Sequence, residues 1–318
     1  MYYPYFRGKQ FELLAIRDTA NVMAEAGFTP IIEPVREALN GLERTLKTIK
    51  ENDGKAIVII NPACGDHSSD GQSIAQLLKN EFSNYKNISV GILLDKSMTI
   101  VKVDNLLHSD LVHEVTFIHA GFDEPKALHE RFGDGYKHVF ISNYCSKAYR
   151  KHFSGSERIL IKDGFEKRRN ADHPDSEFFS DLHLNYEEEG MNGFGDFLIV
   201  GDEFSESGGP AYAVAIHLTY INTKHEDEMY IYHFVSTTRD TPTDPAGKFA
   251  QSLDKLMAAL NSGKSMLLET SAIKEFRRLH NPSHFPGLGT VKKLSMIHHI
   301  ETLGKVRISR SFLPKLTR

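Results

Sequence analysis

The chain has 318 residues, 40% hydrophobic and 25% charged, which excludes bulk disorder and admits either two average domains or one barrel-sized domain. Its formal charge of −4 directs it as a whole to neither nucleic acid nor membrane, and no apolar run approaches the ~18 residues of a membrane span. Two cysteines, Cys64 and Cys145, exclude a disulfide scaffold and point to a reducing, cytoplasmic compartment; the opening MYYPYFRGKQ lacks a signal-peptide core, and the absence of tryptophan disfavours a sugar-stacking platform.

Short apolar runs alternate with helix-patterned segments from the start. Strands are expected at Tyr2–Phe6, Pro30–Val35, Ala56–Ile60, Ser89–Leu94, Val115–Ile118, His138–Ile141, Arg158–Ile161 and Asp196–Val200. Several are continuously apolar and rich in Ile and Val, as strands buried on both faces are. Between them, Phe11–Met23 and Leu39–Ile49 carry apolar residues at helical spacing, ended by Gly27 and Gly54. Segments 68–86, 98–111 and 123–132 read as helices too, with Pro125 suited to a first turn. Eight strands with helices between them favour an α/β fold of the (β/α)8 TIM-like barrel type, with an open doubly wound sheet as the alternative.

Two parts exceed a minimal barrel. One is the long connection 163–195, of a length typical of a lid or binding loop. The other follows the eighth strand: an inserted β-hairpin within 205–240, then helices near 246–261, 269–280 and 290–302, the last two in a C-terminal extension over 265–318. The tail 304–318 carries Lys305, Arg307, Arg310, Lys315 and Arg318 and no acid.

Barrel enzymes place their chemistry at the carboxyl ends of the strands. Those ends give Arg7 and Lys9, then Glu33, Asn61, Asp95, His119, Asn143, Asp163 and Asp202. Glu33, Asp95, Asp163 and Asp202 are expected to divide acid and base roles, with His119 as proton carrier or ligand. Asp95, Asp163 and Asp202 are alternatively oxygen ligands for a divalent cation such as Mg²⁺. Pro34 biases Glu33 to extended backbone and aims it at the mouth; its other reading is an ion pair with Arg36 or Arg7. Arg7, Lys9 and Arg168 would bind an anion, Asn61 and Asn143 would orient substrate or water, and Asn170 would bind substrate with them.

Other features carry less chemistry. Asp181 and His183 match no structural zinc spacing. His217 and His233 fall on opposite arms of the hairpin and read as facing, packed residues. ESGGPA (206–211) is a glycine turn able to present backbone N–H groups to an anion. FPGLGTVKKLSMIHH, with Arg277 and Arg278 ahead of it, has the form of a helix-hairpin-helix element, which with the basic tail would bind nucleic acid through 269–318.

The opening YYPYFRGKQFELLAI, with PIIEPV, INP, FIHAGF and KDGF, resembles the beta-protein family of phage and bacterial origin. The stretch KDGF…RNAD…FSDLH…GFGDF…GD…GGPAYAVAIH is similar to a bacterial branch of it. The resemblance implies a barrel-like fold and a mobile-element or anti-phage defence setting beside a small companion protein. It transfers no catalytic assignment. The expectation is therefore a cytoplasmic barrel enzyme, a metal-assisted hydrolase acting on a phosphate-bearing substrate such as a nucleotide or nucleic acid. The alternatives are a non-catalytic scaffold for the companion protein and a nucleic-acid-binding module.

Overall fold

The computed structural model describes residues 1–109, 111–206, 208–281 and 284–311, with side chains described to residue 307. Lys315 and Arg318 of the basic tail, and Ser207 of the glycine turn, lie outside the described residues.

The first half alternates strand and helix: β1 (Tyr5–Phe6), α1 (Gln10–Asp18), α2 (Ala20–Ala26), β2 (Ile31–Ile32), α3 (Asn40–Glu51), β3 (Ala56–Ile59), α4 (Gln72–Phe82), β4 (Ile88–Asp95), α5 (Ile100–Leu107), β5 (Val115–Ala120), α6 (Pro125–Phe132), β6 (Lys137–Ile141), α7 (Lys147–Lys151) and β7 (Arg158–Ile161). Then come β8 (Ser176–Ser180), α8 (Leu182–Asn185), β9 (Gly193–Gly195), β10 (Ala215–Asn222), β11 (Glu228–Val235), α9 (Pro245–Asn261), α10 (Ser271–His280) and α11 (Leu288–Ser311).

The parallel strands β1 to β7 pair in sequence order, and β9 pairs with β7. The ring then closes on itself. Tyr3 N–H donates to Phe194 O at 2.8 Å, Phe194 N–H to Met1 O at 2.9 Å and Tyr5 N–H to Asp196 O at 2.9 Å. The chain thus contains a (β/α)8 barrel. Its interior is filled by Tyr3, Tyr5, Ile31, Ile57, Ile59, Leu93, Ile118, Val139, Ile141, Ile159, Ile161 and Phe197, all almost fully buried. Where the cluster takes two residues from one segment, as Tyr3 and Tyr5, Ile57 and Ile59, Val139 and Ile141 or Ile159 and Ile161, they stand two apart, as inward-facing positions must.

The eighth barrel strand is the one that composition concealed. It lies at Gly193–Gly195, ahead of the apolar run 196–200. A Cβ at Gly195 would come within 2.0 Å of Tyr3 O, and one at Gly193 within 2.6 Å of the Tyr3 ring. Glycine is what lets β1 approach closely enough to complete the ring. The predicted first helix is also two, α1 and α2, divided at Thr19, whose hydroxyl donates to Ala15 O at 2.7 Å.

The chain divides into two compact units. The first is Met1–Leu13, Gly27–Asp163 and Leu182–Phe197, and holds the barrel. The second is Leu14–Ala26, Gly164–Asp181 and Leu198–Arg318. In the second, β10, β11 and β8 form an antiparallel sheet in that order. The long connection therefore supplies a strand, Ser176–Ser180, that completes the expected hairpin. Helices α9 and α11 pack on β10, and α10 packs on both helices. Buried His298 locks this layer: its Nδ1 faces Thr270 Oγ1 at 2.8 Å and its Nε2 faces Thr219 O at 2.8 Å. No helix among the described residues is long and apolar enough to cross a membrane.

Candidate functional site

Continuing the inward alternation one step past the core brings Arg7, Glu33, Asn61, Asp95, Asn143 and Asp163 onto the interior register at the carboxyl ends of six barrel strands. The ladder runs on past several strand ends, as Glu33 N–H donates to Phe6 O at 2.8 Å and Ser142 N–H to Ile161 O at 2.8 Å.

Glu33 is the centre of this layer and is wholly buried. Its Oε2 accepts from the Tyr5 hydroxyl at 2.8 Å and from the Arg7 guanidinium; its Oε1 accepts from Ala63 N–H at 2.9 Å. The Arg7 guanidinium also lies over the Tyr5 ring at 5.1 Å and the Phe197 ring at 5.4 Å, within cation–π range. The sequence allows this locally. Gly8, at φ +63°, lets the loop after β1 pass against Glu33 O, where a Cβ would sit at 2.9 Å. Of the two partners expected for Glu33, Arg7 binds it.

Of the remaining mouth residues, Asn61 and Asp95 hold hydrogen bonds to nearby backbone and side chains. Asn61 repeats the backbone pattern: its Nδ2 donates to Leu93 O and its Oδ1 accepts from Leu93 N–H, both at 2.8 Å. Its amide is occupied in extending the β3–β4 pairing. Asp95 Oδ1 accepts from Ser97 N–H at 2.8 Å and Ser97 Oγ at 2.7 Å, a turn ahead of α5. Asn143 is exposed, and Asp163 and Lys9 are half-buried.

His119 does not belong to this layer. It is one residue off the inward register and fully buried. Its Nδ1 faces the Tyr149 hydroxyl at 2.7 Å and its Nε2 faces His138 Nδ1 at 2.9 Å, with Phe140 and Phe153 against the ring. Burial, then the neighbouring His138, holds its pKa well below the ordinary histidine value. It is a packed, neutral side chain of the barrel wall, so its expected role as a proton carrier at the mouth is corrected. Cys145 is buried beside it, its Sγ 3.3 Å from His119 O, and burial pushes its thiol up to about 12. That thiol is not activated as a nucleophile.

Asp202, Arg168 and Asn170 fall in the second unit. Asp95 and Asp163 belong to the first unit and Asp202 to the second, so neither unit by itself holds all three expected Mg²⁺ ligands. Arg168 is committed to Glu177 at 3.0 Å, and Asn170 Nδ2 donates to Ala213 O at 2.9 Å. Arg277 pairs with Glu269 at 2.9 Å and Arg278 with Glu275 at 2.7 Å, so both arginines ahead of the helix-hairpin-helix segment carry partners.

Sequence reasoning missed two groups of residues. Tyr5 and the Ala63 amide complete the Glu33 site; Tyr5 was legible only as an apolar strand residue. In the second unit His173, His217 and His233 converge, with potential ligand atoms all within 4.8 Å of one another. Among the described residues this is the one grouping of three or more His, Cys, Asp or Glu with that spacing. Its signal was the pairing of His217 and His233, to which the connection ahead of β8 adds His173.

No protein-family model matches the chain, and no curated protein matches it. The fold defines the class, a (β/α)8 barrel protein with a second, three-stranded unit, and the reading of its function rests on the residues described above.

Proposed function

We propose that the chain is a cytoplasmic barrel enzyme that binds a small phosphate-bearing molecule, such as a nucleotide or a nucleic-acid fragment, at the carboxyl end of its strands. The observation that supports this is the fixed guanidinium of Arg7. It stands on the interior register, braced by two aromatic rings and anchored by Glu33. A cation ordered in advance loses little freedom when an anion arrives, and a planar fork suits phosphate oxygens. In this reading Glu33 positions Arg7 and does not itself exchange protons with substrate. Asp163 and Asn143 are the rim groups assigned acid–base work and orientation. The resemblance to the beta-protein family supports a mobile-element or defence setting beside a companion protein.

The test is calorimetric titration of tag-free protein with inorganic phosphate, nucleoside mono- and triphosphates, short oligonucleotides and neutral sugars. Phosphate-bearing ligands are expected to bind, and Arg7→Lys is expected to weaken them at least about tenfold, since it keeps the charge opposite Glu33 and removes the fork. Equal affinity in wild type and Arg7→Lys, or binding of none of the phosphate compounds, sinks the proposal.

A further inference from the structure

The second unit holds a cluster that the barrel-mouth reading does not use. His217 and His233 are direct partners across the antiparallel pair β10–β11, so their side chains leave the same face of the sheet. Their Nδ1 atoms face each other at 2.7 Å. His173, from the connection ahead of β8, stacks its ring on His233 at 4.3 Å and meets His217 edge-on at 4.9 Å. Phe165 covers the group, 5.5 Å from the His173 ring and 5.2 Å from that of His217. The side chains of His173 and His233 are 1% and 0% exposed. Neither ring nitrogen of His173 makes a hydrogen bond, an unusual state for so buried a polar group.

A carboxylate stands behind the cluster. His233 Nε2 lies 2.9 Å from Glu177 Oε1, and His173 Nδ1 lies 3.5 Å from the same oxygen. Arg168 holds the other oxygen of Glu177 at 3.0 Å. A proton on His233 Nε2, shared with Glu177, leaves the Nδ1 lone pair directed at the cluster. That is the carboxylate–histidine arrangement by which metal sites fix the tautomer and orientation of a ligand.

We infer that His173, His217 and His233 form a binding site for a transition-metal dication of the zinc class, with Glu177 as its outer-sphere carboxylate. The ligand set excludes the hard-cation alternative: Mg²⁺ and Ca²⁺ take oxygen ligands, whereas three imidazoles suit Zn²⁺, Co²⁺, Ni²⁺ or Cu²⁺. The spacing fits after small ring rotations. Tetrahedral zinc with bonds of about 2.0–2.1 Å sets its ligand nitrogens about 3.3 Å apart, between the 2.7 Å closest approach and the 4.8 Å limit found here. Ligation needs unprotonated imidazole, and burial disfavours the protonated form of His173, His217 and His233. Three protein ligands leave a fourth position for water or an anion, the pattern of catalytic rather than closed structural zinc.

The site is tested on tag-free full-length protein stripped with chelator and dialysed. Titration with Zn²⁺ is expected to show one ion per chain and a rise in melting temperature, with no response to Mg²⁺. Co²⁺ is expected to give the intense visible bands of four-coordinate geometry. His173→Gln and His217→Gln are each expected to weaken Zn²⁺ at least about a hundredfold, and Glu177→Gln about ten- to a hundredfold. Because a variant can misfold, zinc-edge X-ray absorption on the wild type supplies an independent count, expected at three imidazole nitrogens. Absence of stoichiometric Zn²⁺ binding, a shell dominated by oxygen or sulfur, or unchanged affinity in folded His173→Gln and His217→Gln overturns the assignment.

Discussion

The Arg7–Glu33 pair shows what burial demands of a charge. A carboxylate with no exposure is tolerated because three donors, from Tyr5, Arg7 and Ala63, replace its water. Removing one partner strands the other. Glu33→Leu and Arg7→Met are each expected to lower unfolding free energy by about 3–5 kcal/mol, and the double variant by clearly less than their sum. Urea denaturation of the four proteins checks this, and strict additivity would contradict the coupling. At this scale the sequence was partly legible. An ion pair with Arg36 or Arg7 is its second reading of Glu33, beside a catalytic one, and the pair with Arg7 forms. His119 could not be placed, because EVTFIHA belongs to a strand buried on both faces, and such a strand carries no alternation to tell inward from outward.

At the scale of elements, strands made of Ile and Val announce themselves, and strands made of glycine do not. The ring closes through Gly193 and Gly195 because β1 leaves no space for side chains there. Gly195→Ala is expected to abolish cooperative unfolding or cost more than about 3 kcal/mol, since its Cβ would displace main chain that has nowhere to go. Gly208→Ala, with nothing within 4 Å of the added Cβ, is expected to stay within about 0.5 kcal/mol. Thermal and urea melts of the two variants check the contrast. The same physics explains β8. Its sequence SEFFS sits inside a polar, charged connection and becomes a strand only because β11 offers an edge to pair with. The histidine cluster stayed hidden for that reason, since His173 and the carboxylate behind the cluster, Glu177, are delivered by that connection.

The molecule as a whole buries several histidines in the neutral form. Burial holds His138 at about 3 and His298 at about 4, and His119 also well below the ordinary 6.5. The unfolded chain takes up these protons near pH 6.5, whereas the folded chain resists until each depressed value is reached. Between those limits the unfolded state binds more protons, so stability is complete above about pH 7 and falls as pH drops. Each such histidine contributes a loss of about 1.4 kcal/mol per pH unit within its window. Denaturation midpoints in chelator are therefore expected to be level from pH 8 to 7 and to fall steeply from 6.5 to 4.5. A flat profile across that interval would contradict the buried neutral assignment.

Closure of the barrel also has a consequence in time. Tyr3 bonds to Phe194, so the first strand waits for its last neighbour until almost two-thirds of the chain has been made. At synthesis rates of about 5–20 residues per second that wait is roughly 10–40 seconds. Throughout it, the outer edge of β1 and the unfilled side of β7 stand open, both lined with groups that pair readily with a foreign strand. The growing chain is thus most vulnerable to misassociation just before the glycine strand emerges. Separating residues 1–180 from the remainder would leave that vulnerable state permanent.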